Sequence, residues 1–161
     1  MRQIAFLRAI NVGGHTVKMA RLKELFEELG AENVETFIAS GNVLFDGLLT
    51  EKQIEDHLEK ALGYAVATFL RTPAQLEKIT AKPEKDEQLY IGFLKAAASK
   101  NALEPFEDED TRFEVHGHEF YWFSKTGMGR SKITGAKLEK ALGGPTTMRS
   151  ITTVTKIAHK R

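Results

Sequence analysis

Apolar and polar positions along the first 30 residues follow the period of a strand and then that of a helix. Residues 4–7 (IAFL) are apolar at every position, which predicts a central strand covered on both faces of its sheet. Residues 18–30 (KMARLKELFEELG) carry apolar side chains at helical spacing and finish at Gly30, a residue type common at helix C-termini. The pattern therefore predicts a buried strand followed by an amphipathic helix.

The next forty residues predict two strands, a second helix and a further strand. Residues 33–47 (NVETFIASGNVLFDG) contain two β-type segments around a tight turn at Gly41. A capping-box pattern at Thr50 starts a helix that ends at Gly63, and residues 64–71 form the last strand. The predicted order is βαββαβ, which is the ferredoxin-like arrangement.

A similar order follows residues 81–87 (AKPEKDE), which have the composition of a linker. The elements predicted after it are a strand, a short helical turn, a hairpin, a helix and a C-terminal helix, at residues 88–95, 101–106, 111–124, 133–144 and 150–160. We therefore expect an α+β protein in which a ferredoxin-like unit at residues 1–80 packs closely on a second, related βαββα unit with a C-terminal helix at residues 88–161.

The ferredoxin-like topology brings two loops to one edge of the first sheet. Its first and second strands run in the same direction, so their C-terminal ends lie along a shared edge. The loop after the first strand and the turn Ser40-Gly41-Asn42 are therefore expected to meet there. This edge, beside Arg8, is the first candidate site.

Composition and charge narrow the class of protein. The 161 residues include no cysteine, which excludes thiol catalysis, disulfides and cysteine-based zinc sites. The net charge of +1 gives no global attraction to nucleic acid or to a membrane surface. The apolar run at the N-terminus is too short for a signal peptide, and no segment has the length of a membrane span. We expect a cytoplasmic protein that does not bind membranes.

The glycine-containing segment before the first helix has the chemistry of an anion-binding loop. Glycines between a strand and a helix leave backbone N–H groups open to an anion, and Lys18, expected in the first turn of the helix, adds a positive charge. The segment matches neither the dinucleotide-binding fingerprint nor the Walker A motif. Its glycines can equally serve only to turn the chain. The same two interpretations apply to the turn, and the candidate residues are Asn11, Gly13, Gly14, Ser40, Gly41 and Asn42.

Arg8 ends a strand that is predicted to be covered on both faces, and a desolvated guanidinium needs a partner. Glu35 or Asp46 can neutralise it within the fold. A phosphate or carboxylate of a ligand can instead bind it bidentately. Both interpretations stay open at this point.

A second stretch with anion-binding chemistry precedes the predicted helix 133–144. Residues 127–132 (GMGRSK) combine glycines, a hydroxyl group and two cations at a helix N-terminus. The candidate ligand groups are Arg130, Ser131 and Lys132, and Arg149 extends this positive surface if the tail folds back near them. A solvated loop explains the same residues.

The sequence contains no metal-binding motif or catalytic set. Among the five histidines only His116 and His118 are close together, around a hairpin turn. The acidic run 107–110 lacks the spacing of a calcium-binding loop. Ser40 has neither the G-x-S-x-G context nor a nearby base. We predict no metal and no cofactor, and a binding role is favoured over catalysis.

Several segments together resemble a bacterial family. LRAINVGG, KMARLKELFEELG, VETFIASGNVLF, GRSK and TTVTKIA are similar to the domain of unknown function numbered 1697, whose members typically begin Leu-Arg-Gly-Ile-Asn-Val-Gly-Gly. The resemblance implies an α+β protein with a ferredoxin-like part and no established activity. The chain departs from the family at Ala9, usually glycine, and at residues 148–154 (MRSITTV), where the family has a tryptophan and asparagines. If those tail residues contribute to a ligand site, this chain binds differently or more weakly.

Three functional hypotheses follow. The first is binding of a small phosphorylated or otherwise anionic, nucleotide-like ligand at the edge beside Arg8. The second is nucleic-acid binding through basic loops, with the aromatic run 120–123 (FYWF) available for base stacking or, alternatively, for packing under a helix. The third is an enzyme of transferase or hydrolase type. Ligand identity and oligomeric state lie beyond the sequence.

Overall fold

The computed structural model describes residues 1–8, 10, 16–38, 41–127 and 133–160. These residues form two four-stranded antiparallel sheets and five α-helices, which confirms the predicted α+β class. The chain divides into two compact units. The first comprises Met1–Lys78 together with Ile157–Arg161, and the second comprises Ile79–Lys156.

The sheet of the first unit has the order β2-β3-β1-β4. Its strands are β1 (Arg2–Leu7), β2 (Glu32–Thr36), β3 (Asn42–Asp46) and β4 (Thr68–Arg71). β1 pairs with β3 and with β4, so it lies inside the sheet, as its continuous apolar run predicted. Both β1 and β2 are antiparallel to β3, and they therefore run in the same direction.

Two helices, α1 (Met19–Glu28) and α2 (Glu51–Leu62), share a hydrophobic core with one face of this sheet. α2 begins as predicted, because Thr50 Oγ1 accepts a hydrogen bond from Gln53 N at 3.1 Å and Gln53 Oε1 accepts one from Thr50 N at 2.9 Å. The helix ends at Gly63, whose φ of 85° lies in the left-handed region that favours glycine. The same capping box at Thr72 starts the short helix α3 (Pro73–Glu77).

The N-terminus of α1 differs from the prediction. Lys18 was expected in the first turn, but it is the N-cap residue, with extended backbone at φ −68° and ψ 145°. Its carbonyl accepts the first helical hydrogen bond, from Leu22 N at 3.0 Å. The helix therefore starts at Met19, one residue later than predicted. Lys18 nevertheless stays at the positive end of the helix dipole.

The second unit has a sheet of the order β6-β7-β5-β8. Its strands are β5 (Gln88–Leu94), β6 (Thr111–His116), β7 (Glu119–Ser124) and β8 (Thr146–Ser150). Its helices are a 3-10 turn (Glu104–Phe106), α4 (Gly135–Leu142) and α5 (Ile151–Ala158), whose last two residues belong to the first unit. The predicted βαββα pattern lacked β8, and this is a correction. The segment TTMRS has no alternation of apolar and polar residues, and it becomes a strand because it pairs with the open edge of β5.

The aromatic run of β7 divides between the two faces of its sheet. Phe120 and Trp122 belong to a core cluster with Leu138 of α4, which agrees with the packing interpretation of this run. Tyr121 and Phe123 are buried on the alternate positions of the strand. Among the described residues, no helix has both the length and the apolar character that crossing a bilayer requires.

Candidate functional site

The edge where β1 ends is called here the rim, and it comprises Arg8, Ile10, Val17, Lys18 and Gly41. Leu7 N donates a hydrogen bond to Gly41 O at 2.8 Å, and Phe6 is the register partner of Asn42. The turn between β2 and β3 therefore lies at the exit of β1, as the topology predicted. The other predicted residues of this edge, Asn11, Gly13, Gly14 and Ser40, lie outside the described residues.

The rim is anchored to the core on both sides of residues 11–15. Ile10 and Val17 are 5% and 7% exposed and belong to the core cluster of the first unit. Tyr64 Oη donates a hydrogen bond to Ile10 O at 2.8 Å, and Arg8 N donates one to Ala67 O at 2.9 Å. Burial raises the pKa of the Tyr64 phenol, so it remains a neutral donor. Packing thus fixes the positions of Ile10 and Val17.

Asn42 stabilises the turn between β2 and β3 through hydrogen bonds of its side chain. It is 2% exposed, and its Nδ2 donates to Phe37 O at 3.1 Å and to Ile38 O at 2.7 Å. Ile38 has a φ of 54°, which is unusual for a β-branched residue, and the second of these bonds holds it there. Both amide hydrogens of Asn42 are therefore used inside the hairpin. Asn42 therefore supports the rim, and its predicted ligand contact stays a prediction.

Two positive groups belong to the rim. Arg8 is half-buried, and Lys18 is exposed at the start of α1. The Lys18 side chain does not cap the helix, and the first turn of α1 contains no acidic residue. The helix dipole therefore adds to the positive charge at this edge.

Arg149 lies in the second unit, on β8. Its Nη1 donates to Thr147 Oγ1 at 2.8 Å and to Met148 O at 2.9 Å. Burial lowers its pKa to about 10, so it stays charged at neutral pH. The residues expected beside it, Arg130, Ser131 and Lys132, lie outside the described residues.

Arg149 has a counterpart in the first unit that sequence reasoning missed. Arg71 on β4 pairs in register with Ile4 of β1, just as Arg149 on β8 pairs with Ile91 of β5. Each guanidinium donates from Nη1 to the carbonyl of the preceding residue, at 2.7 Å for Arg71. Each arginine is followed by a hydroxyl residue that caps the next helix, Thr72 or Ser150. The similarity of the two units extends to these arginines, of which Arg71 is buried and Arg149 half-buried.

A cleft of about 590 Å³ opens at the other end of β1, and sequence reasoning did not single it out. We call it the Arg2 cleft. It is lined by Arg2, Asn33, Val34, Glu35, Asp46, Pro73, Ala158 and Lys160. These residues come from β1, β2, β3, the start of α3 and the C-terminal segment, all within the first unit.

Arg2 contacts three of the other residues that line this cleft. Its Nη2 lies 2.7 Å from Glu35 Oε1, its Nη1 lies 3.5 Å from Asp46 Oδ1, and Nη1 also donates to Asn33 O at 3.0 Å. The two acids that were alternatives for neutralising Arg8 therefore pair with Arg2 instead. The register explains this, because Asp46 stands directly opposite Arg2 at the start of β1.

Asn33 positions the second carboxylate of the cleft. It has a φ of 50° at an irregularity in the register between β2 and β3, a conformation that asparagine tolerates well. Its Nδ2 donates to Asp46 Oδ2 at 2.8 Å. This hydrogen bond, together with the charge of Arg2, outweighs desolvation and lowers the pKa of Asp46. Asp46 is therefore ionised at neutral pH.

The described residues provide no group of three or more His, Asp or Glu side chains arranged to hold a metal ion. The structure thus presents two different polar regions in the first unit. The rim carries positive groups and a helix N-terminus, whereas the Arg2 cleft carries both signs of charge.

Comparison with known proteins identifies the family. The chain belongs to the family described as protein of unknown function (DUF1697), whose profile matches residues 1–121. No curated protein matches this sequence. A solved structure, that of the conserved bacterial protein SP0830 from Streptococcus pneumoniae, is similar with a TM-score of 0.70 and 23% identity, over 98% of this chain and 96% of that chain. At this identity the similarity shows the fold alone.

Proposed function

We propose that this member of the DUF1697 family binds a small phosphorylated or otherwise anionic, nucleotide-like ligand at the rim. The observation that carries the proposal is the 2.8 Å hydrogen bond from Leu7 N to Gly41 O. This bond joins the exit of β1 to the turn before β3. It brings Gly41 to the end of β1, next to Arg8 in the chain, and α1 is the next helix after this strand.

The ligand contacts follow from the chemistry of this edge. Arg8 supplies a guanidinium for bidentate contact with a phosphate or carboxylate. Lys18 and the first turn of α1 supply positive potential. The backbone N–H groups of Asn11, Gly13 and Gly14 and the hydroxyl of Ser40 are predicted donors. The second wall of Arg130, Ser131, Lys132 and Arg149 stays a prediction from the sequence.

Calorimetric titration with inorganic pyrophosphate and with AMP tests the proposal. We expect Lys18→Met to weaken binding about two- to fivefold, the effect of one exposed charge at a helix terminus. Arg8→Lys keeps the charge but loses the bidentate fork, and we expect about tenfold or greater weakening. Lys23→Met is the matched control, because Lys23 is an exposed lysine farther along α1. The proposal is refuted if neither probe binds. It is also refuted if Lys18→Met and Arg8→Lys bind the probes as tightly as the control Lys23→Met does.

Nucleic-acid binding is the alternative outcome of the same titration. A single-stranded oligonucleotide would then bind more tightly than the small probes, and its affinity would fall steeply with added salt. The hypothesis of a transferase or hydrolase activity has no described residue set in its support, and it remains open.

We also propose that the first unit has a ferredoxin-like arrangement and that the second is related to it. The order β1-α1-β2-β3-α2-β4 and the sheet order β2-β3-β1-β4 support a ferredoxin-like arrangement for the first unit. The matching sheet order β6-β7-β5-β8 supports a related arrangement for the second. The boundaries expected from the sequence, residues 1–80 and 88–161 joined by the linker 81–87, stay a prediction, and the compact units place Ile157–Arg161 in the first unit. A cytoplasmic location likewise stays a prediction.

A further inference from the structure

We propose that the Arg2 cleft is a second ligand site, selective for a small zwitterion that carries an ammonium and a carboxylate group, such as an α-amino acid or a dipeptide. Its volume of about 590 Å³ falls within the range of small-molecule sites. Arg2 is the first residue of β1 and Arg8 follows its last residue, so six residue steps of extended chain separate the two by about 20 Å. The cleft is therefore distinct from the rim, and the two sites can be tested separately.

The charges of the cleft come in matched pairs. The charged side chains that line it are two cations, Arg2 and Lys160, and two anions, Glu35 and Asp46. An anionic ligand would meet two carboxylates there, and a cationic ligand would meet a guanidinium and an ammonium. A ligand with one charge of each sign avoids both repulsions. The cleft thus favours zwitterions by its charge balance.

Glu35 keeps hydrogen-bonding capacity in the cleft. Glu35 Oε1 is taken by Arg2, whereas Glu35 Oε2 lies 3.9 Å from Lys160 Nζ, which is too long for a direct hydrogen bond. A carboxylate oxygen can accept further hydrogen bonds and an ammonium can donate three. The ligand ammonium is therefore placed at Glu35 and the ligand carboxylate at Lys160.

The surrounding contacts hold these groups in place before a ligand arrives. Arg2 fixes Glu35, and Asn33 fixes Asp46. The Nζ of Lys160 lies 4.7 Å from the centre of the Phe37 ring, a cation–π contact that restrains the end of a flexible side chain. Preorganisation of this kind reduces the entropy lost on binding.

One wall of the cleft is apolar. Val34, Pro73 and Ala158 line it, and Val34 and Ala158 are 5% and 3% exposed. This wall accommodates an aliphatic side chain beside the charged groups. Among zwitterions we therefore expect leucine-like ligands to bind more tightly than glycine.

Titration of the full chain with L-leucine and leucyl-alanine, followed by NMR, tests the proposal. We expect saturable binding with a dissociation constant of about 1 mM or lower. N-acetyl-leucine lacks the ammonium and leucinamide lacks the carboxylate. Each is therefore expected to bind at least about tenfold more weakly than L-leucine. The absence of saturable binding by either zwitterion, or equal binding of all four probes, would overturn the proposal.

Two variants connect the probes to the residues. Lys160→Met should abolish the preference for leucine over leucinamide, and Glu35→Gln should abolish the preference for leucine over N-acetyl-leucine. Lys52→Met and Glu59→Gln are matched controls, because both residues are exposed on α2 outside the cleft. Preferences that survive in the cleft variants would refute the assignment. The probe analogues test it independently if a variant fails to fold. Binding of pyrophosphate at the rim should be the same in all four variants.

Discussion

Substitution of Gly92 by alanine tests the packing of the second unit most directly. Gly92 of β5 stands opposite Phe120 of β7, and the Phe120 ring covers the place of the missing side chain. A Cβ at Gly92 would lie 2.0 Å from Phe120 Cε1 and 2.2 Å from Cζ, whereas ordinary contacts of a Cβ are 3.4–4 Å. The ring would have to move by more than 1 Å. Phe120 is fully buried, so the core has no space for that movement.

The magnitude is a balance of two effects. Alanine in place of glycine reduces the entropy of the unfolded chain and by itself stabilises a strand by roughly 0.5–1 kcal/mol. Overpacking of a filled core costs about 1–3 kcal/mol, and more where backbone and ring are both confined. At a separation of 2.0 Å the steric effect dominates. We expect Gly92→Ala to lower the free energy of unfolding by about 2–3 kcal/mol.

Urea denaturation followed by tryptophan fluorescence measures this change. Trp122 is the only tryptophan of the sequence, lies two residues from Phe120 on β7, and is 2% exposed. Phe120→Leu removes the ring edge over Gly92, so the double variant should be more stable than the sum of the single effects predicts, by about 1 kcal/mol or more. A Gly92→Ala variant within about 0.5 kcal/mol of wild type, or a strictly additive double variant, would refute the steric argument.

Three further predictions concern local features. Thr50→Ala should lower the free energy of unfolding by about 1 kcal/mol in urea denaturation, because the capping box of α2 is lost, whereas an unchanged value would contradict that role. Gly117→Ala, at a φ of 61°, should destabilise more than Gly117→Asn, since asparagine tolerates this conformation, and thermal denaturation compares the two. Arg112 donates hydrogen bonds to both carboxylate oxygens of Glu87 at 3.0 Å and lowers the pKa of that carboxyl group. Ionised Glu87 therefore stabilises the fold above about pH 4.3, the usual pKa of glutamate in an unfolded chain. This contribution is lost as the pH falls through the lowered pKa of the folded state. The stability difference between wild type and Glu87→Gln should therefore shrink on acidification, and a pH-independent difference would exclude the linkage.

Local sequence determined the elements whose signals lie within a few residues. The Thr50 capping box, the stop at Gly63 and the amphipathic stripe of α1 depend on neighbours three or four positions away. The structure has them as predicted, except that Met19, expected in the stripe, is exposed. The apolar run of β1 also determined its interior position in the sheet. Topology then placed the turn at Gly41 beside the exit of β1, because the directions of the strands follow from the order of elements.

Tertiary structure alone decided the features that depend on register. β8 is a strand only because β5 offers it an edge, and its own residues carry no strand pattern. Asn42 became a support of the hairpin because folding buried it beneath two carbonyl groups. Arg2, Glu35 and Lys160 stand far apart in the chain. The pairing of β1 and β2 with β3 and the return of the C-terminal segment bring them together. Periodicity and capping act over one turn of chain, whereas a charge cluster requires the alignment of distant strands, which no local pattern encodes.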